Sequence, residues 1–86
     1  MLGKWHLGHC DTRYTPRHRG FDTFVGSYSG AVDHWTRLGG INGKRGYDLR
    51  NGTDISHVGE GLNSAQLYSK LAEDIIKNSK EPYFLY

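Results

Sequence analysis

The chain has 86 residues, of which 36% are hydrophobic, and a formal net charge of +2; a length of this order allows at most one small domain with a thin core. Residues 1–50 carry eight Lys or Arg against four Asp, and residues 51–86 carry three Lys against five Asp or Glu. That modest positive front half suits an anionic ligand and lacks the dense basic face of a nucleic-acid binder, no run approaches the ~18 apolar residues of a transmembrane helix, and the single Cys10 allows no internal disulfide.

Residues 1–8 read as the end of a strand running into a loop, an apolar segment closed by Gly8. Within it, Lys4 and His6 are two apart. In extended backbone they would face one side, with Trp5 turned the other way to pack. An ammonium beside an imidazole suits an anionic group whose protons must be moved. Taken alone, a Lys-x-His pair is equally an ordinary surface lysine with a structural histidine. His6, His9 and Cys10 could be read as a metal cluster, but they lack the distant second pair of a structural zinc site, so no metal ligand is assigned.

From His9 to Arg19 the chain is polar and carries Pro16, which predicts a loop. Phe21, Phe24 and Tyr28 are the expected anchors of the next segment. The glycines of Gly39-Gly40-Ile41-Asn42-Gly43-Lys44 predict a turn or flexible surface loop. Asn51-Gly52 predicts a type I′ hairpin turn between the arms Tyr47–Leu49 and Thr53–Ile55. Asn51-Gly52-Thr53 is also an N-glycosylation sequon at an exposed turn, although turn chemistry accounts for Asn and Gly without a sugar.

From Asn63 to about Asn78 the period becomes helical. Leu67, Leu71 and Ile75 recur four apart, with Tyr68, Ala72 and Ile76 beside them. Asn63 and Gln66 fit a capping box, while Lys77 and Lys80 complement the C-terminal dipole. After Pro82, the run Tyr83-Phe84-Leu85-Tyr86 reads as a buried strand. A helix followed by an apolar strand predicts an α/β fold with a largely parallel sheet.

The string Gly3-Lys4-Trp5-His6-Leu7-Gly8, followed by Arg19-Gly20-Phe21-Asp22, then Gly26, and later the helix leading to Pro82-Tyr83-Phe84-Leu85-Tyr86, resembles the sulfatase family. Within it, the arylsulfatase B type (N-acetylgalactosamine-4-sulfatase and its relatives) looks most similar. The likeness runs in order over nearly all the chain and is weakest from Thr36 to Lys44. Sulfatases are much longer, so residues 1–86 are expected to be an internal piece of a catalytic domain near its N-terminal side, without a signal peptide of their own. The implied fold is part of an alkaline phosphatase-like α/β sandwich with a mostly parallel sheet.

The implied reaction is hydrolysis of a sulfuric ester, an aryl sulfate or a sulfated glycosaminoglycan sugar, in a lysosomal or secreted glycoprotein. By the resemblance, Lys4 binds the sulfate and a hydroxyl of a catalytic formylglycine, and His6 contacts that group and takes up a proton. The formylglycine derives from a cysteine in a Cys-x-Pro/Ala-x-Arg stretch. Cys10 is not that cysteine, since Asp11-Thr12-Arg13 follows it. The modified cysteine and the calcium ligands are therefore expected outside this chain, along with the acid histidine and the second sulfate-binding lysine. Arg17, His18 and Arg19 match basic positions of the family and are expected to be structural or rim residues. Asp33 and His34 lie where relatives place a loop near the pocket, so substrate contact and a plain solvated loop both stand. Two departures affect the disulfide framework and the sugar specificity: Tyr14 stands where the family has a cysteine, and the Gly-rich Thr36–Gly46 stretch lacks cysteine. The competing readings are a phosphoryl-transfer relative in the alkaline phosphatase superfamily and an inactive anion- or glycan-binding paralogue.

Overall fold

The computed structural model describes residues 1–41 and 43–86; the expected turn residue Asn42 lies outside that set. Nine elements follow in chain order: strand β1 (Leu2–Lys4), two 3-10 turns (Thr12–Tyr14 and Pro16–His18), β2 (Val25–Ser27), β3 (Leu38–Ile41), β4 (Lys44–Tyr47), β5 (Arg50–Asn51), β6 (Asp54–Ile55) and helix α1 (Ser64–Asn78). The result is a small α/β unit with a mixed sheet.

The main sheet has the order β1-β2-β5-β6. Only β1 and β2 run parallel, with Leu2 opposite Val25 and Lys4 opposite Ser27. β2 with β5 and β5 with β6 are antiparallel. The expectation of a mostly parallel sheet therefore fails here: a two-residue loop can return β5 into β6 only antiparallel, and β5 also meets β2 antiparallel across a long connection. β1 and β2 approach closely: a Cβ on Gly26 would stand 1.8 Å from the Gly3 carbonyl oxygen, so only glycine fits.

Two further expectations need correction. The second hairpin turns on Gly52-Thr53 rather than Asn51-Gly52, since Arg50 pairs with Ile55 and Asn51 with Asp54. Only Gly52 has positive φ there, at 65°, which matches the II′ requirement for glycine at the first central position. The stretch expected as a Gly-rich loop instead forms the β3–β4 hairpin, with Leu38 opposite Tyr47 and Gly40 opposite Arg45. Glycine is admitted for space: a Cβ on Gly40 would lie 2.4 Å from the Lys44 carbonyl oxygen.

Met1, Phe24 and Tyr28 form the core, with Trp5 and Phe21 packed against it, as the aromatic spacing predicts. The Phe24 and Tyr28 rings stack at 5.5 Å. α1 starts with the predicted box, in which Asn63 Oδ1 accepts from Ala65 N–H at 3.0 Å and Gln66 Oε1 accepts from Asn63 N–H at 3.0 Å. Its apolar stripe lies across β1, with Leu67 buried and seated where Gly59 leaves room. The tail is not a buried strand. Phe84 is 78% exposed, and the segment is tied to the sheet by a bond from Leu2 N–H to Tyr86 O at 2.8 Å. The Phe21 ring stacks on Phe84 at 6.3 Å, but Tyr83, Phe84 and Tyr86 all stay more than half exposed.

Candidate functional site

Lys4 closes β1, and His6 lies just beyond it. Two hydrogen bonds extend the β1–β2 ladder past the strand ends, from Trp5 N–H to Ser27 O at 2.9 Å and from His6 N–H to Tyr28 O at 3.1 Å. His6 departs from extended backbone with φ of 54°, so its ring is not placed by strand alternation. It is turned onto Gly30 instead, where a Cβ would fall 2.3 Å from the imidazole. Lys4 reaches the same residue, its Nζ donating to Gly30 O at 3.2 Å. The two side chains thus converge on Gly30, by a left-handed turn rather than a straight strand.

Trp5 behaves as a packing residue. It lies against the core edge-on to Phe21 at 6.4 Å, and its Nε1–H is shared between Gly8 O and Tyr14 O. The His9–Arg19 segment is held locally, with Arg19 over the Tyr14 ring at 5.4 Å and Asp11 paired with Arg13 at 2.9 Å. Cys10 is exposed and free.

Lys4 opens on a cavity of about 480 Å³ whose walls include Gly30, His34, Arg37, Asp48 and Tyr68. His6 lines a neighbouring space of about 450 Å³ with His9 and Tyr28, and Gly30 and Ala31 border both. Among the described residues no carboxylate is ion-paired with Lys4, which leaves its charge available to an anion. None of them hydrogen-bonds the His6 ring.

The pair Asp33 and His34 is split by the structure. Asp33 Oδ1 accepts from Trp35 N–H, Thr36 N–H and the Thr36 hydroxyl. The amides of Thr36 and Trp35 and that hydroxyl hold its carboxyl below the usual carboxylate range, as hydrogen bonds to the charged form do. His34 borders the Lys4 cavity, and its carbonyl receives both the Ser64 N–H and the Ser64 hydroxyl. Asn51 lies on β5 with its side chain exposed, one residue before the turn.

The sequence reading assigns no site role to three cavity residues, Arg37, Asp48 and Tyr68. Arg37 is 4% exposed, has φ of 60°, and gives its guanidinium to the carbonyls of His34 and Leu62. Asp48 is 7% exposed, and an acid between the apolar Tyr47 and Leu49 was the available signal for a satisfied buried carboxylate. Tyr68, on the helix stripe, has its phenol pushed up in pKa by burial.

No three His, Cys, Asp or Glu side chains converge among the described residues, so these residues form no cage for calcium. Cys10 lacks the sequence context of a formylglycine precursor.

No protein-family model matches this chain. Over its whole length it is similar to arylsulfatase J of Mus musculus, at 38% identity over 90 aligned residues, and it spans 15% of that relative's length. The similarity supports a sulfatase-family relationship and does not single out the arylsulfatase B type. No described helix is long and apolar enough to cross a membrane.

Proposed function

We propose that these 86 residues belong to the catalytic domain of a sulfuric ester hydrolase, and that Lys4 and His6 work on the sulfate group. The observation that carries this reading is the convergence of the Lys4 ammonium and the His6 imidazole on Gly30, the cation being free of any carboxylate partner among the described residues. The full-length similarity to an arylsulfatase supports it.

In this reading Lys4 Nζ donates to sulfate oxygens as a charged, compact donor. His6 accepts a proton at a ring nitrogen, the role for which imidazole is the commonest choice. His34 borders the side of the cavity toward which the rest of the substrate would extend, and Asp33 shapes the turn that presents it. The nucleophile and the calcium come from the remainder of the chain, as formylglycine and its metal site would require. A sulfated glycosaminoglycan sugar fits as the substrate, on a glycoprotein carrying a glycan at Asn51 and routed to the lysosome or secreted. An arylsulfatase B-like specificity is the narrower form of the proposal.

Turnover by the intact protein tests it. An aryl sulfate should be hydrolysed with higher kcat/KM than the matching aryl phosphate. The reverse preference would move the protein to the phosphoryl-transfer side of the superfamily, and binding of a sulfated glycan without turnover would make it an inactive paralogue.

A further inference from the structure

Beyond the β1–β2 ladder, which sets Lys4 opposite Ser27, residues 28–30 receive Lys4 and His6. Tyr28 O accepts the His6 amide, Gly30 O accepts the Lys4 ammonium, and the open face of Gly30 receives the His6 ring. Past Tyr28 O, where the ladder ends, that segment bends away from β2. Tyr28 is anchored through its ring on Phe24 and its hydroxyl on Gly52 O, while the Tyr28 and Ser29 amides are held by one buried side chain from far along the sequence. Asp48 Oδ2 accepts the Ser29 N–H at 2.8 Å, and Oδ1 accepts the Tyr28 N–H at 3.3 Å. A carboxylate clasping two successive amides fixes both peptide planes at once, and charge-assisted bonds of this kind are about twice as strong as neutral ones.

Asp48 is held in turn from two sides. Its own N–H donates to Arg37 O at 2.8 Å, and Arg50 Nε stands 3.6 Å from Oδ1, too long for a hydrogen bond but close enough for an ion pair. Arg50 Nε is buried and finds no hydrogen-bond partner among the described residues, while its guanidinium lies 5.3 Å from the Tyr28 ring centroid. The cation is therefore kept beside the carboxylate by the same tyrosine whose amide the carboxylate binds. We propose that Asp48 is a positioning residue for the Lys4–His6 pair, acting through the Tyr28–Gly30 backbone and touching no substrate. For its effect on turnover this rests on the sulfatase reading; for its effect on the His6 ring it does not.

The test uses the intact protein, with Asp48→Ala, Asp48→Asn and Gly30→Ala compared against Leu67→Ala, which loosens the packing of α1 against Gly59 rather than the Asp48 bonds to residues 28 and 29. Misplacement by about 1 Å can cost ~10²-fold in rate. The expected result is a fall in kcat per folded molecule toward that size in Asp48→Ala, with a smaller change in KM. Asp48→Asn, which keeps one acceptor oxygen, should recover part of the loss, and Leu67→Ala should keep its kcat. Gly30→Ala carries the test if Asp48→Ala does not fold, because its Cβ would push on the His6 ring directly.

A second readout is the ring resonance of His6 in ¹⁵N-histidine-labelled protein, assigned by its loss in His6→Gln. It should move in the Asp48 and Gly30 variants and stay in Leu67→Ala. An unmoved resonance, or a kcat that falls only as far as in Leu67→Ala, overturns the proposal. A moved resonance in a protein that hydrolyses no sulfate ester would sustain the positioning role while removing the sulfatase reading.

Discussion

Replacing His6 by alanine in the intact protein is expected to lower kcat for an aryl sulfate by ~10²–10⁴-fold, the usual worth of a positioned acid or base. The argument is local. His6 offers a ring without a hydrogen-bond partner among the described residues, pressed against Gly30 and beside a cavity of about 450 Å³. Lys4→Ala should be as damaging by a different route. It removes the unpaired cation from the neighbouring cavity, so KM should rise along with the loss in kcat. Lys4→Arg should restore little, since a planar fork does not replace a compact ammonium. Steady-state kinetics on the purified variants decide the matter, and near-normal activity in either alanine variant would remove the role assigned to that residue.

The largest expected effect on stability is that of Phe24→Ala. Phe24 is 1% exposed and stacks on Tyr28 at 5.5 Å in a core with few other buried apolar residues. Truncating a buried phenylalanine costs about 3–5 kcal/mol, and a small core has little material with which to fill the cavity. By contrast, Lys77→Ala removes an exposed pair with Glu73 on the surface of α1, a change of about 0.2–0.5 kcal/mol. Denaturant unfolding of the intact protein should separate the two by an order of magnitude. Similar midpoints for both variants would mean that this cluster is not the centre on which the segment's fold depends.

The parts legible in the sequence were those set by neighbours along the chain. Asn63 and Gln66 form the predicted box, Leu67 lies on the buried side of α1, and Phe24 and Tyr28 anchor the core. Lys4 and His6 stood out by motif, and the structure brings them to one residue, although through a backbone turn that no spacing rule anticipates. The β3–β4 hairpin was hidden because glycine is depleted in strands, and Gly39 and Gly40 are there for close approach to Val32 and Lys44. Arg37 and Asp48 were hidden because their partners are remote: the Leu62 carbonyl for one and the Tyr28 and Ser29 amides for the other. The strand expected at Tyr83–Tyr86 failed for the opposite reason. Its apolar composition was clear, but burial depends on what covers it, and composition does not supply that.

The left-handed backbone of His6 gives the site a thermodynamic signature. A residue with a side chain held at φ of 54° bears a strain of about 1–2 kcal/mol that glycine escapes. His6→Gly should therefore melt no lower than the parent protein while losing its turnover. Stability and activity would diverge at this one position. A lower melting temperature would instead mean that the imidazole contributes more packing against Gly30 than the backbone strain takes away.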